Sequence, residues 1–181
     1  MAALIACSIA RLDSEADAET CASLMAASEP WLTLGRSYEA CLAIIRDPTR
    51  EVYVARAPAD IAGFLILCMT GAFVGYIQTI CIDPAHRGQG LGSKLIEFAE
   101  QRILAESPNV FMCVSSFNPD ARRLYERLGY RMVGELTDYI VAGHSEILLR
   151  KTIGALSGFG PRAPQRRPSS ASPSSTNIRS R

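Results

Sequence analysis

Histidine and paired cysteine are nearly missing from this chain. It has only His86 and His144, and its six cysteines, Cys7, Cys21, Cys41, Cys68, Cys81 and Cys113, form no C-x-x-C pair. Zinc sites draw on such residues, so no metal is expected. Most of the cysteines lie in apolar stretches, which points to reduced, buried thiols and a reducing, cytoplasmic compartment. Net charge is scarce too, at +1 from 19 basic and 18 acidic residues. That gives no broad attraction to nucleic acid or membrane. The apolar start, MAALIACSIA, has no basic n-region and is not expected to act as a signal peptide.

Charge is absent altogether from Ile61 to Ile82. Length alone would let that run span a bilayer. Gly63, Thr70, Gly71, Gly75, Gln78 and Thr79 interrupt it, and Thr70-Gly71 marks a turn. Two buried strands joined as a hairpin are expected instead. Acidic residues are absent from Ala155 to Arg181, which holds five arginines and leaves residues 1–154 with a net charge of −4. The segment is rich in Pro, Ser and Arg and has no periodic apolar pattern. A disordered, solvated tail at 155–181 is expected after one folded domain at 1–154.

Within that domain the pattern predicts a strand over 3–11, then a helix from Ala16 to Ala27 with Ser14 and Asp17 resembling a capping box. Glu29-Pro30-Trp31 breaks it, and Ser37–Arg46 forms a second helix stopped by Asp47-Pro48. Strands are predicted at Glu51–Arg56, Ala62–Met69 and Phe73–Ile82. A glycine-rich loop at Arg87–Gly92 runs into a helix from Leu91 to Leu104 with an apolar face. Val110–Ser115 is a strand. Asn118-Pro119-Asp120 opens the next helix, which Gly129 ends. Strands at Tyr130–Leu136 and Glu146–Lys151 finish the domain. The fold class expected is α/β, a mixed and mostly antiparallel sheet with helices on both faces.

The most informative stretch is Ile82-Asp83-Pro84-Ala85-His86-Arg87-Gly88-Gln89-Gly90-Leu91-Gly92-Ser93. A strand ends, three alternate glycines follow, and a helix starts at once. Glycines admit close backbone approach, and the helix start presents unpaired N–H groups to an anion such as a pyrophosphate. The spacing fits neither a P-loop, since Ser93 precedes Lys94, nor a dinucleotide-binding G-x-G-x-x-G.

Arg87, Gly90 and Gly92 fill [QR]-x-x-G-x-[GA], the pyrophosphate signature of the GNAT acetyltransferase superfamily, which the chain resembles from about Arg50 to Lys151. A second signature, N-x-x-A-x-x-x-Y-x-x-x-G-[FY], is filled by Asn118, Ala121, Tyr125, Gly129 and Tyr130. The resemblance implies a sheet splayed into a V that holds acetyl-CoA. It implies that backbone N–H groups of Gly88, Gln89, Gly90, Leu91, Gly92 and Ser93, with Arg87, bind the pyrophosphate. Cys81 and Ile82 would pair with the pantetheine arm, and Asn118 and Tyr125 would contact the ligand.

Acyl transfer to an amine needs a neutral amine, a donor for the oxyanion and a proton for the departing thiolate. By resemblance, a backbone N–H near Ile82 serves the oxyanion and Tyr125 the thiolate. The base is open. Tyr76 sits where some relatives use a tyrosine, although its ordinary pKa near 10 makes it a weak base. Cys113 stands where relatives acting on protein N-termini carry Glu or His. Glu29, Asp138, His144 and Glu146 are further candidates. Trp31 either floors an acceptor pocket or caps the core. The expected function is N-acetylation of a primary amine by direct transfer in a ternary complex. The acceptor is a small molecule or a peptide or protein amine. The alternative is an acyl-CoA-binding sensor without turnover. Neither nucleic acid nor membrane is expected as a partner, and the chain is read as monomer or homodimer.

Overall fold

The computed structural model of the chain describes residues 7–58 and 60–160. The elements are β1 (Ser8–Arg11), α1 (Glu15–Ala26), α2 (Tyr38–Ile45), β2 (Arg50–Arg56), β3 (Ile61–Cys68), β4 (Tyr76–Ile82), α3 (Leu91–Leu104), β5 (Asn109–Ser115), α4 (Pro119–Arg127), β6 (Arg131–Leu136) and β7 (Glu146–Thr152). A short 3-10 turn at Pro84–His86 lies between β4 and the glycine loop. The start of the strand expected over 3–11, and the tail beyond Gly160, fall outside the described residues.

Local chemistry sets the helix starts. Ser14 Oγ accepts the Asp17 N–H at 3.1 Å, and Ser37 Oγ accepts the Ala40 N–H at 3.2 Å. Each bond satisfies a donor that the first helical turn leaves without a partner. In α1, Ala18, Cys21, Ala22 and Met25 are buried, a spacing of three and four that defines one face. In α2, Cys41, Leu42 and Ile45 do the same. Both helices pack with Trp31, Val52, Val54, Phe64, Ile66 and Cys81 on one side of the sheet. On the other side Leu91, Leu95, Ile96, Ala99 and Ile103 of α3 meet Leu65, Leu67, Ile77, Val110, Met112 and Leu149. β3 is covered on both faces, so it is apolar along its whole length.

The charge-free run resolves into β3 and β4 joined as a hairpin. No helix among the described residues is long and apolar enough to cross a membrane. β4 begins at Tyr76 rather than Phe73. Phe73 is half exposed, and the Gly75 N–H already bonds Cys68 O at 3.1 Å to close the turn.

The seven strands form one sheet in the order β1-β2-β3-β4-β5-β7-β6. Its neighbouring pairs are antiparallel except β4–β5, which is parallel. The final strand inserts between β5 and β6. The parallel pair is also the weakest: it registers only Tyr76 with Phe111 and Ile77 with Met112. Pairing stops where β4 carries a bulge. Leu67 faces Ile77 and Ile66 faces Thr79, so Gln78 is an extra residue. A bulge bends its strand and switches the alternation of its side chains. Here it turns the rest of β4 away from β5. The sheet opens into a V between β1–β2–β3–β4 and β5–β7–β6.

Candidate functional site

A cavity of 1410 Å³ fills that opening. An ordinary small-ligand pocket occupies roughly 300–1,000 Å³, so this one has room for two reactants. Its walls come from both sides of the sheet. Gly92, Leu124, Tyr125 and Asn118 line it from the α3 and α4 side, and Trp31, Leu34 and Arg36 from the α1–α2 connection. Gln78, Ile80 and Ile82 of β4 and Cys113 and Ser115 of β5 form its lateral edges.

At one mouth lies the glycine loop. Gly90 is the N-cap of α3 with φ +80°, the left-handed region, and no side chain caps the helix there. Lys94 N donates to Gly90 O at 3.2 Å. The N–H groups ahead of it have no place in the helix ladder, which starts one turn later. A Cβ on Gly92 would lie 3.2 Å from Ile82 Cδ1, so the small residue lets the helix start press against the end of β4. Arg87 sends Nε to Ile82 O at 3.1 Å, and Gln89 sends Nε2 to Ala85 O at 3.0 Å. These two side chains brace the loop. The arrangement suits a pyrophosphate, with backbone donors, a helix dipole and an adjacent guanidinium.

Strand alternation decides which β4 groups face the opening. Asp83 N donates to Ala62 O at 3.0 Å, and Cys81 pairs with Phe64 two residues back. The backbone of Cys81 therefore turns towards β3, and that of Ile80 and Ile82 towards the cavity. Of the expected pair, the backbone of Ile82 faces the opening together with that of Ile80, whereas that of Cys81 is spent on β3. The Cys81 side chain is buried with α1 and α2, and that burial pushes its thiol up to about 12.

The second signature is explained residue by residue. Asn118 Oδ1 accepts Ala121 N–H at 3.2 Å, capping α4, and the same residue lines the cavity. Ala121 and Leu124 pack on the core. Gly129 N donates to Glu126 O at 3.1 Å and Tyr130 N to Tyr125 O at 3.0 Å, the two bonds of a Schellman ending. Tyr130 is anchored in the core, its ring centroid 6.2 Å from that of Tyr125. Tyr125 is thereby held against the cavity, and burial raises its hydroxyl to about 12. At neutral pH it is a phenol with a proton to give.

The base candidates separate clearly. Asp138 accepts the Gly143 N–H at 2.6 Å in a turn, and His144 stacks edge-on against Phe117; the cavity walls include neither of these two. Glu29 lines the cavity but is exposed, with Oε2 accepting the Thr33 N–H at 3.3 Å. Tyr76 reaches the cavity, but burial, then Cys113, Tyr139 and Glu146, push its hydroxyl far above its ordinary value. A phenol so held does not take up a proton from an ammonium. Cys113 is likewise kept as a thiol, chiefly by burial. Glu146 remains. It sits at the start of β7 opposite Ser115, is 4% exposed, and its Oε1 accepts the Ser115 hydroxyl at 2.6 Å. Burial raises its carboxyl, with Ser115 and Arg36 pulling the other way. A buried carboxyl raised in this way on a cavity wall is one form that a general base takes.

Trp31 is 8% exposed in the α1–α2 core and also lines the cavity. Sequence reasoning passed over Ser115, Ile80 and Arg36, which stand in no motif. No group of three or more His, Cys, Asp or Glu that could hold a metal occurs among the described residues.

Comparison with known proteins agrees with this architecture. Residues 15–130 match the model of the acetyltransferase (GNAT) family. A blasticidin-S acetyltransferase from Streptomyces morookaense is 31% identical over 90 residues, 46% of this chain and 66% of the relative. The N-alpha-acetyltransferase RimI of Mycobacterium tuberculosis is 27% identical over 150 residues, 81% of this chain and 90% of the relative. Among solved structures, spermidine N-acetyltransferase from Vibrio cholerae, in complex with CoA and spermine, superposes with a TM-score of 0.64 at 18% identity. That match covers 81% of this chain and 95% of the other.

Proposed function

The chain belongs to the GNAT acetyltransferase family, and from that membership we propose that it moves an acetyl group from acetyl-CoA to a primary amine by direct transfer. The observation that carries the reading is the cavity through the splayed sheet, with Tyr125 on one side and Glu146 on the other. The glycine loop opens on the α3 side, so acetyl-CoA enters there, its pyrophosphate on the backbone from Gly88 to Ser93. Ile80 and Ile82 offer strand-like partners to the pantetheine arm. The acceptor enters from the side of α1 and α2, past Trp31 and Tyr76. The two substrates meet between β4 and β5.

Each residue then has one task. Glu146 takes the proton from the acceptor ammonium and leaves a free lone pair on nitrogen. The Ile82 N–H receives the charge that develops on the acyl oxygen as the C–N bond forms. Tyr125 donates its proton to sulfur as the C–S bond breaks. Asn118 holds the start of α4, which carries Tyr125, against the same ligand. The raised thiols of Cys81 and Cys113 are poor nucleophiles, which favours direct transfer over a covalent cysteine intermediate.

Acetyl-CoA-dependent thiol release tests this reading, run on small amines and on peptides with free α-amines or lysines. Release with any of these, abolished by Gly90→Val, supports it. A left-handed φ costs a β-branched residue about 1–2 kcal/mol, and the added methyls stand where the ligand backbone contacts belong. Binding of acetyl-CoA without turnover on any amine would instead favour a sensor.

A further inference from the structure

Resting on that reading, we propose that Arg36 binds a carboxylate on the acceptor. The acceptor class is then amino acid-like: one primary amine and one carboxylate on an apolar or aromatic body.

Seven arginines of the domain have a carboxylate partner within 4 Å: Arg11, Arg46, Arg50, Arg56, Arg102, Arg122 and Arg123. Arg87 is braced on Ile82 O. Arg127, Arg131 and Arg150 are exposed and solvated. Arg36 fits none of these groups. It is half-buried, lines the cavity, and forms neither an ion pair nor a side-chain hydrogen bond among the described residues. Its Nε is shut away from solvent with no acceptor. Its backbone is fixed, since its N–H donates to Trp31 O at 3.0 Å. Buried donors in folded proteins almost always have a partner. A guanidinium presents a planar fork of donors that matches a carboxylate.

The surroundings narrow the partner. Glu146 is the nearby opposite charge, close enough for Arg36 to pull its carboxyl down, yet the two form no ion pair within 4 Å and Glu146 Oε1 accepts the Ser115 hydroxyl instead. Glu29 spends Oε2 on the Thr33 N–H. One pocket thus presents a carboxylate and an unpaired guanidinium. A molecule carrying ammonium and carboxylate complements both, with its amine at Glu146 and its carboxylate at Arg36. A polycation would place a positive group beside Arg36 instead. Trp31, Leu34, Phe117, Tyr139 and Ile140 also line the cavity and suit an apolar side chain.

The experiment compares leucine and phenylalanine with their carboxamides as acceptors of the full chain, in wild type, Arg36→Gln and Arg36→Lys. A charge-assisted bond makes the free acids better by about 10- to 100-fold in kcat/KM. Arg36→Gln should remove that preference through KM of the acids, bringing the acid-to-carboxamide ratio of kcat/KM close to one, while any effect through Glu146 falls on both substrates alike. Arg36→Lys should restore part of it. Equal use of acid and amide overturns the proposal. So does an equal loss on both in Arg36→Gln, the signature of a role in folding or in setting Glu146. A strong preference for spermidine or for a peptide α-amine also overturns it. Silence on acids and amides alike overturns it too. Whether acetyl-CoA still raises the melting temperature then tells whether the acetyl-CoA reading has fallen with it.

Discussion

At the scale of single residues, the proposed mechanism assigns the proton transfers to two side chains. Tyr125 is a phenol raised to about 12 by burial, so it is protonated throughout the working range. Replacing it with Phe keeps the ring that packs near Tyr130 and removes only the hydroxyl. Tyr125→Phe should lower kcat by about 100-fold, the ordinary contribution of a general acid. Affinity for acetyl-CoA, measured by calorimetry, should stay within about two-fold, because the proposed pyrophosphate contacts lie on another loop. Glu146 works in the opposite sense. Its raised carboxyl means that folding retains a proton that the unfolded chain has already released. Its contribution to stability therefore falls as pH rises from the ordinary carboxylate value through the raised one. Glu146→Gln keeps a partner for Ser115 and removes that cost. The variant should melt no lower than the parent at neutral pH, yet lose about 100-fold or more in kcat/KM. The acidic limb of the pH–rate profile should vanish with it. A variant that keeps that limb would move the base elsewhere.

At the scale of elements, the bulge at Gln78 and the approach of β3 to β4 shape the opening. A Cβ on Gly63 would lie 2.6 Å from Cys81 O and 3.2 Å from Ile82 Cα. Both neighbours are backbone, so neither yields cheaply. Gly63→Ala should push the end of β4 outward, cost about 1–3 kcal/mol, and weaken acetyl-CoA through displaced Ile82. Thermal melts and KM on the same preparation check both effects together. The elements themselves are legible in the sequence because their signals are local. Ser14 and Asn118 cap their helices as their spacing implies, and Glu51–Arg56 is a strand as predicted, although Val52 to Ala55 are all buried rather than alternating. The bulge is not legible. Tyr76–Ile82 reads as an unbroken strand, and only pairing with distant β3 reveals Gln78 as the extra residue. The place of β7 between β5 and β6 is hidden for the same reason. In the site, Tyr125 and the glycine loop stand in signatures, whereas Glu146 is one carboxylate among several until burial and Ser115 distinguish it. Arg36 follows a glycine in a connection and gives no signal at all.

At the scale of the whole molecule, the protein consists of two half-sheets joined by two registered residue pairs at Tyr76 and Ile77. Helix α3 packs beneath both. The edges of β4 beyond Gln78 and of β5 beyond Met112 face each other across the cavity without pairing. On the proposed reading, a ligand arm between them would supply the missing partner and turn two halves into one continuous layer. Ligands that bind only the folded state stabilise by mass action, by about 2.7 kcal/mol at one hundred times Kd. For a domain of this size each kcal/mol raises Tm by about 2–4 °C, so saturating acetyl-CoA should raise Tm by about 5–10 °C. The shift should grow with the logarithm of concentration and disappear in Gly90→Val. Hydrogen exchange locates the effect. Protection should rise at Ile80 and Ile82, whose N–H groups face the opening, and less at Cys81, whose N–H is already spent on β3. Equal protection at all three would mean that the ligand tightens the fold from outside the cleft, and the strand-like contact with β4 would be lost from the account.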